Sequence, residues 1–327
     1  MEQANAAGPA SLASLGGETM GTRWSVRLAV RAGTDLHALH AGIQAQLDQV
    51  VAQMSTWEAD SDISRYRRAA PGTWVALPEE FATVLACALD IAAASDGAFD
   101  PTVGPLVDLW GFGSAGTPRR VPAGEEIAHR LAHGGWRRLQ RRDGGRELLQ
   151  PGDVQLDLSA IAKGHGSDLV AGHLRARGVA AALVEVGGEL RAYGCKPGGE
   201  PWRVLVESAI DEETVADDAP PRVLVLEDAA VATSGDRWHR FEQDGRRYAH
   251  TLDPRTGMPV TDAAASVSVV AADAMHADAW ATALTVMGAS AGLAFAQRHG
   301  LAARFVTRGA DGLHESMTDA FRAYLAG

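Results

Sequence analysis

The pattern that most restricts how this chain can fold is a change in its hydrophobic period. Between residues 36 and 54, Leu36, Leu39, Ile43, Leu47, Val50, Val51 and Met54 recur every three or four positions, the spacing of one helix face. Thr34 or Asp35 is placed to cap that helix. From about Trp136 to Val270 the apolar residues come instead in short runs rich in Val and Leu, at 154–158, 183–186, 204–206 and 223–226, cut by Gly, Pro and Asp. Such runs predict strands. Strict alternation puts Trp24, Val26, Leu28 and Val30 on one face of a further strand at 22–30. Pro78, at a first-turn position before Glu79 and Glu80, opens a second amphipathic helix carrying Phe81, Val84, Leu85 and Ile91. Gln243-Asp244-Gly245 reads as a hairpin turn, and helices are expected at 161–177 and 274–287. Helices and strands mix without a regular βαβ alternation, so the fold class is α+β, not a doubly wound sheet.

Composition narrows the function. A chain of 327 residues suffices for one large core, and its 46% hydrophobic and 22% charged residues are those of a globular protein. The net charge of −11 argues against a general binder of nucleic acid. Cys87 and Cys195 stand far apart, outside any metal-ligand spacing, and read as idle thiols. No window reaches the roughly 18 consecutive apolar residues of a membrane span. Residues 1–17 are small and rich in Ala, Gly and Ser, with neither a basic region nor a long apolar one, and are expected to be a flexible N-terminal segment. The sequence as it stands reads as cytoplasmic, and as periplasmic if a leader had been removed. The stretch 207–221, with six acidic residues and two prolines, reads as a solvated excursion.

Three clusters carry chemistry. Thr233-Ser234-Gly235-Asp236, with Arg247-Tyr248-Ala249-His250-Thr251-Leu252-Asp253-Pro254-Arg255-Thr256-Gly257, sets an imidazole and hydroxyls beside turn-rich backbone, which suits proton transfer or a phosphate. In Asp157-Leu158-Ser159-Ala160-Ile161-Ala162-Lys163-Gly164 an apolar run turns into a helix through small residues. A helix N-terminus there favours an anion, and Lys163 adds positive charge. Asp157 either contributes to that site or caps the helix. Asp278 and Thr282, four residues apart, share a helix face and either bind a hard cation or form an ordinary solvated face. Mg²⁺ needs only one or two protein carboxylates when phosphate oxygens complete its shell. The Walker spacing GxxxxGK[ST] is absent.

In this order, these stretches resemble the ApbE family, the FAD:protein FMN transferases. The resemblance starts at Glu18-Thr19-Met20-Gly21-Thr22 and runs through Met54-Ser55-Thr56-Trp57, Phe99-Asp100-Pro101-Thr102-Val103-Gly104, the 157–164 cluster, Val186-Gly187-Gly188, Ala232 to Asp236, His250 to Gly257 and Ala277-Asp278. It implies one large ApbE-like domain over 18–327, of mixed sheets flanked by helices and related to the T-fold. It implies a Mg²⁺-dependent transferase that moves the FMN half of FAD onto a Thr or Ser hydroxyl of an acceptor flavoprotein and releases AMP. Met20, Trp57, Ala98, Phe99, Asp100, Asp157, Lys163 and Leu252 would then line the FAD site. Asp278, Thr282 and the backbone carbonyl of Ala160 would hold the metal, and His250 would be the catalytic histidine. The chain departs from the family pattern at Trp57 and His165, where Tyr is common, at Ala281, where some members carry a second Asp, and at Glu185. The alternatives are a pyrophosphatase splitting FAD into FMN and AMP, and a non-catalytic FAD-binding protein.

Overall fold

The structure, a computed structural model, describes residues 10–206, 221–235, 240–260, 265–309 and 311–326. Its strands in chain order are β1 (Ser11–Thr19), β2 (Thr22–Val30), β3 (Trp74–Ala76), β4 (Arg141–Arg142), β5 (Glu147–Leu149), β6 (Ala182–Val186), β7 (Glu189–Tyr193), β8 (Trp202–Val206), β9 (Arg222–Leu226), β10 (Ala230–Gly235), β11 (Arg240–Gln243), β12 (Arg246–Ala249), β13 (Leu252–Asp253), β14 (Met258–Pro259), β15 (Ser266–Ala271), β16 (Ala302–Gly309) and β17 (Gly312–Met317). The helices are α1 (Leu36–Met54), α2 (Asp62–Arg68), α3 (Glu79–Ala94), α4 (Gly104–Leu109), α5 (Gly124–His133), α6 (Ala162–Ala176), α7 (Ala274–Met287), α8 (Ala289–Arg298) and α9 (Asp319–Arg322).

An eight-stranded sheet in the order β1-β2-β6-β7-β10-β15-β16-β17 organises the molecule. Every neighbouring pair is antiparallel, which makes the domain α+β. Alternation along β2 points Trp24, Val26, Leu28 and Val30 at the stripe Leu39, Ile43 and Leu47 of α1 and at Val170 and Leu174 of α6. Further along the sheet, Val267 and Val269 of β15 and Phe305 of β16 pack on Ala281 and Leu284 of α7. Another cluster joins Ala192, Val231 and Val270 of the sheet to the β8–β9 ribbon through Trp202, Val204, Leu224 and Leu226. A smaller core gathers α4, α5 and the β11–β14 hairpins around Leu106, Trp110, Ile127 and Leu252.

Local chemistry explains most boundaries. Asp35 caps α1 by accepting from Ala38 N at 3.0 Å. Met20 and Gly21 turn the β1–β2 hairpin with φ of 49° and 68°, and Asp244 and Gly245 do the same for β11–β12 at 51° and 70°. A two-residue hairpin of this type requires positive φ at both positions.

Four expectations change. Residues 11–17, expected to be flexible, form most of β1, because Ala13 and Leu15 have apolar neighbours to cover. Residues 154–158 form no strand and lie in no sheet, although Val154, Leu156 and Leu158 are buried; burial alone produced the strand-like pattern. Pro78 is the N-cap of α3 and not its first residue. Asp157 does not cap α6, whose N-cap is Ile161. The excursion expected at 207–221 falls outside the described residues except for Pro221, and Asp236 falls outside them as well.

Candidate active site

Helices α6 and α7 cross at backbone contact. A Cβ on Gly164 would lie 2.2 Å from the Ala274 carbonyl oxygen and 2.9 Å from Asp278 Cβ, so only glycine permits the approach. At this crossing each helix supplies a carboxylate to the other's N-terminus. Asp278 Oδ2, from α7, accepts from Gly164 N at 3.1 Å. Asp168, from α6, accepts from Ala274 N and Met275 N, both at 2.9 Å. Orphan N–H groups and the helix dipole favour negative charge at both places.

Lys163, in the first turn of α6, lies between two carboxylates. Its Nζ is 2.5 Å from Glu189 Oε1 and 3.8 Å from Asp278 Oδ2. Burial alone would lower the lysine's pKa, but Asp278 and Glu189 outweigh it and hold Lys163 protonated. Burial pushes both carboxyls upward, with the ammonium opposing. Just before α6, Ile161 N and Ala162 N both turn back to Leu158 O, at 3.1 and 2.8 Å. Among the described residues, no hydrogen bond ends on the Ala160 carbonyl. Thr282 stands one turn beyond Asp278, half-buried.

Other expected residues lie on loops that adjoin one another. Asp157 N donates to Pro101 O at 2.8 Å, and its Oδ1 accepts from Ser159 N at 2.8 Å, a local turn and not a helix cap. Asp100 Oδ1 accepts from Thr102 N and Thr102 Oγ1, each at 2.7 Å, and Oδ2 from Trp136 N at 3.2 Å. Burial raises the Asp100 pKa, and these hydrogen bonds only partly oppose it. A Cβ on Gly97 would be 3.8 Å from Arg255 Cγ. The segment carrying His250 and Leu252 therefore adjoins the segment carrying Ala98 to Asp100. His250 lies between β12 and β13, half-buried, edge-on to Phe112 with centroids 6.4 Å apart.

Met20, on its hairpin tip, packs against α6: a Cβ on Gly166 would be 3.3 Å from Met20 Cε. Ala98, Phe99 and Leu252 are buried, at 1, 3 and 5% exposure, so their side chains serve the core and what they offer a ligand is backbone. Trp57 is 69% exposed, and among the described residues its indole makes no hydrogen bond or ring contact. Two residues escaped sequence reasoning, Glu189 and Asp168. Glu189 carried a signal: three residues past Val186, just beyond a Gly pair, it occupies a strand position pointing at α6, where an apolar residue would be expected. Asp168 shares α6 with buried Val170 and Leu174, and nothing in its own neighbourhood marks it.

Comparison with known proteins places the chain. The model of the ApbE family matches residues 20–305. The FAD:protein FMN transferase of Vibrio cholerae serotype O1 is 37% identical over 320 residues, 97% of this chain and 94% of that protein. The enzyme of the same name from Klebsiella pneumoniae is 36% identical, covering 98% and 92%. Among solved structures, the Pseudomonas stutzeri flavinyl transferase ApbE in its apo form superposes with a TM-score of 0.89 at 38% identity, over 98% of each chain.

Proposed function

The chain belongs to the ApbE family, and we propose that it transfers the FMN half of FAD to a Thr or Ser hydroxyl of an acceptor flavoprotein. The observation that carries this reading is near-full-length similarity to FMN transferases, and the meeting of Lys163 with Asp278 at the α6–α7 crossing supports it.

The hydroxyl oxygen attacks the phosphorus on the FMN side of the FAD diphosphate. A phosphoester bond forms, the bridging P–O bond breaks, and AMP leaves. His250 takes the proton from the hydroxyl; an imidazole has the right basicity near pH 7. Lys163 meets the developing charge at the α6 N-terminus, where N–H groups reinforce it. The Ala160 carbonyl, one Asp278 oxygen and the Thr282 hydroxyl are the hard oxygen donors that would hold Mg²⁺, a sparse set of the kind this ion accepts when phosphate oxygens and water supply the rest. Bound there, Mg²⁺ would neutralise diphosphate charge.

Exposed Trp57 offers an aromatic face to a flavin or adenine ring. Met20 closes the site against α6, Asp100 and Asp157 fix the loops that carry its walls, and Ala98, Phe99 and Leu252 position wall backbone. The test is mass spectrometry of a candidate acceptor domain incubated with the protein, FAD and Mg²⁺. A mass gain equal to covalent FMN is expected, lost with EDTA and with His250→Ala. Release of free FMN and AMP without a mass gain would replace transfer by hydrolysis.

A further inference from the structure

We infer that Glu189 is a positioning residue whose task is to hold the Lys163 ammonium away from Asp278, so that the Asp278 carboxylate stays available to a divalent cation. The inference rests on the reading of Asp278 as a cation ligand. Three elements meet here: Lys163 comes from α6, Asp278 from α7 and Glu189 from β7. The ammonium is 2.5 Å from Glu189 and 3.8 Å from Asp278, and attraction falls with distance, so Glu189 is its principal partner.

The backbone fixes that preference. Gly187 and Gly188 turn the β6–β7 hairpin at φ of 61° and 106°. A Cβ on Gly187 would lie 3.1 Å from Lys163 Cδ and 2.9 Å from Thr22 Cγ2, so the lysine stem runs directly under the turn. The Glu189 carbonyl accepts from Ser167 Oγ at 2.8 Å, tying β7 to α6. Glu189 is 4% exposed, and its Oε2 is buried with no hydrogen-bond partner among the described residues. Lys163 therefore accounts for its polar contact.

A half-buried ammonium beside two carboxyl groups turns to the second when it loses the first. Without Glu189 the nearest one is Asp278, and Lys163 closes the remaining gap. That closure occupies oxygen lone pairs a cation needs and sets a positive charge beside it. Replacing Glu189 also removes one of the two carboxyl groups beside the ammonium, weakening the pull on any divalent ion.

The experiment measures Mn²⁺ binding to the FAD-free protein by water-proton relaxation, with thermal melts to verify folding. Glu189→Gln is expected to weaken Mn²⁺ binding about tenfold. Adding Lys163→Met to Glu189→Gln is expected to restore it to within about threefold of the unmodified protein, and a merely structural loss would not be restored. Lys163→Met alone, which leaves both carboxylates unneutralised, is expected to bind Mn²⁺ more tightly than the unmodified protein; this arm stands even if Glu189→Gln fails to fold. Unchanged binding in Glu189→Gln, a double variant as weak as Glu189→Gln, or weaker binding in Lys163→Met overturns the inference. Asp278→Ala separates the two levels: if it binds Mn²⁺ as well as the unmodified protein, the cation-site reading itself fails.

Discussion

Asp100 and Asp278 are both acidic residues expected at the ligand, yet their surroundings use them differently. Around Asp100 the loop and the neighbouring 135–136 segment take up both carboxylate oxygens, through Thr102 N, Thr102 Oγ1 and Trp136 N. At the α6–α7 crossing, Asp278 gives one oxygen to Gly164 N and keeps Lys163 at 3.8 Å, so lone pairs remain to spend on a ligand. A buried carboxylate saturated by its own backbone is scaffold, whereas one left partly unsatisfied among charges is poised for a ligand. Asp168 belongs with Asp100, because both of its oxygens are engaged by the first N–H groups of α7.

The difference is testable by removing each group in turn. Asp278→Ala is expected to reduce transfer roughly a thousandfold, about 4 kcal/mol of transition-state stabilisation, and to abolish Mn²⁺ binding, while the single stranded Gly164 N–H costs about 1 kcal/mol in urea unfolding. A normal metal titration in that variant would erase the contrast. Gly164→Ala attacks the crossing itself: with its Cβ 2.2 Å from the Ala274 oxygen, the helices must part, at a cost of about 3 kcal/mol. Both stability and metal affinity should fall together. Asp100→Ala strands the Thr102 and Trp136 N–H groups and should cost about 2 kcal/mol in urea unfolding, with Mn²⁺ affinity unchanged. If Asp100→Ala lost metal affinity with full stability, the two carboxylates would have to exchange roles.

Elements defined by periodicity were legible in the sequence. The α1 stripe, the β2 alternation and the Asp244-Gly245 turn each follow from residues a few positions apart, and α7 begins and ends where its pattern does. The apolar run at 154–158 misled because a buried segment carries the composition of a strand without a strand's partners. At the site, Lys163, Asp278 and Thr282 stand out because charge and hydroxyl spacing on a helix is local information. Glu189 and Asp168 act across more than a hundred residues or between sheet and helix, and no local pattern encodes the partner. His250 was found as an imidazole in a turn-rich segment, but its edge-on contact with Phe112 depends on how α4 packs on the β11–β14 hairpins.

The smallest expected effect separates scaffold carboxylates from ligand carboxylates by their pH dependence. Burial lifts the Asp168 pKa to about 6, although the Ala274 and Met275 N–H groups pull the other way. The unfolded chain titrates near the ordinary value of about 3.9. Between those two values the folded protein holds a proton that the unfolded chain has released, so this group's contribution to stability is present at low pH and lost as pH rises through about 6. Asp168→Asn cannot ionise, and its single amide oxygen leaves one N–H of α7 less well satisfied, a cost that does not vary with pH. Subtracting the urea stability of Asp168→Asn from that of the unmodified protein should therefore give a difference that declines between about pH 4 and pH 6, with about 3 kcal/mol as its ceiling, and is level above. Two parallel curves would mean that the α7 N-terminus keeps Asp168 ionised throughout. The helix dipole would then outweigh burial, and the scaffold carboxylates would be charged anchors, like Asp278 in electrostatics and unlike it only in having no oxygen to spare.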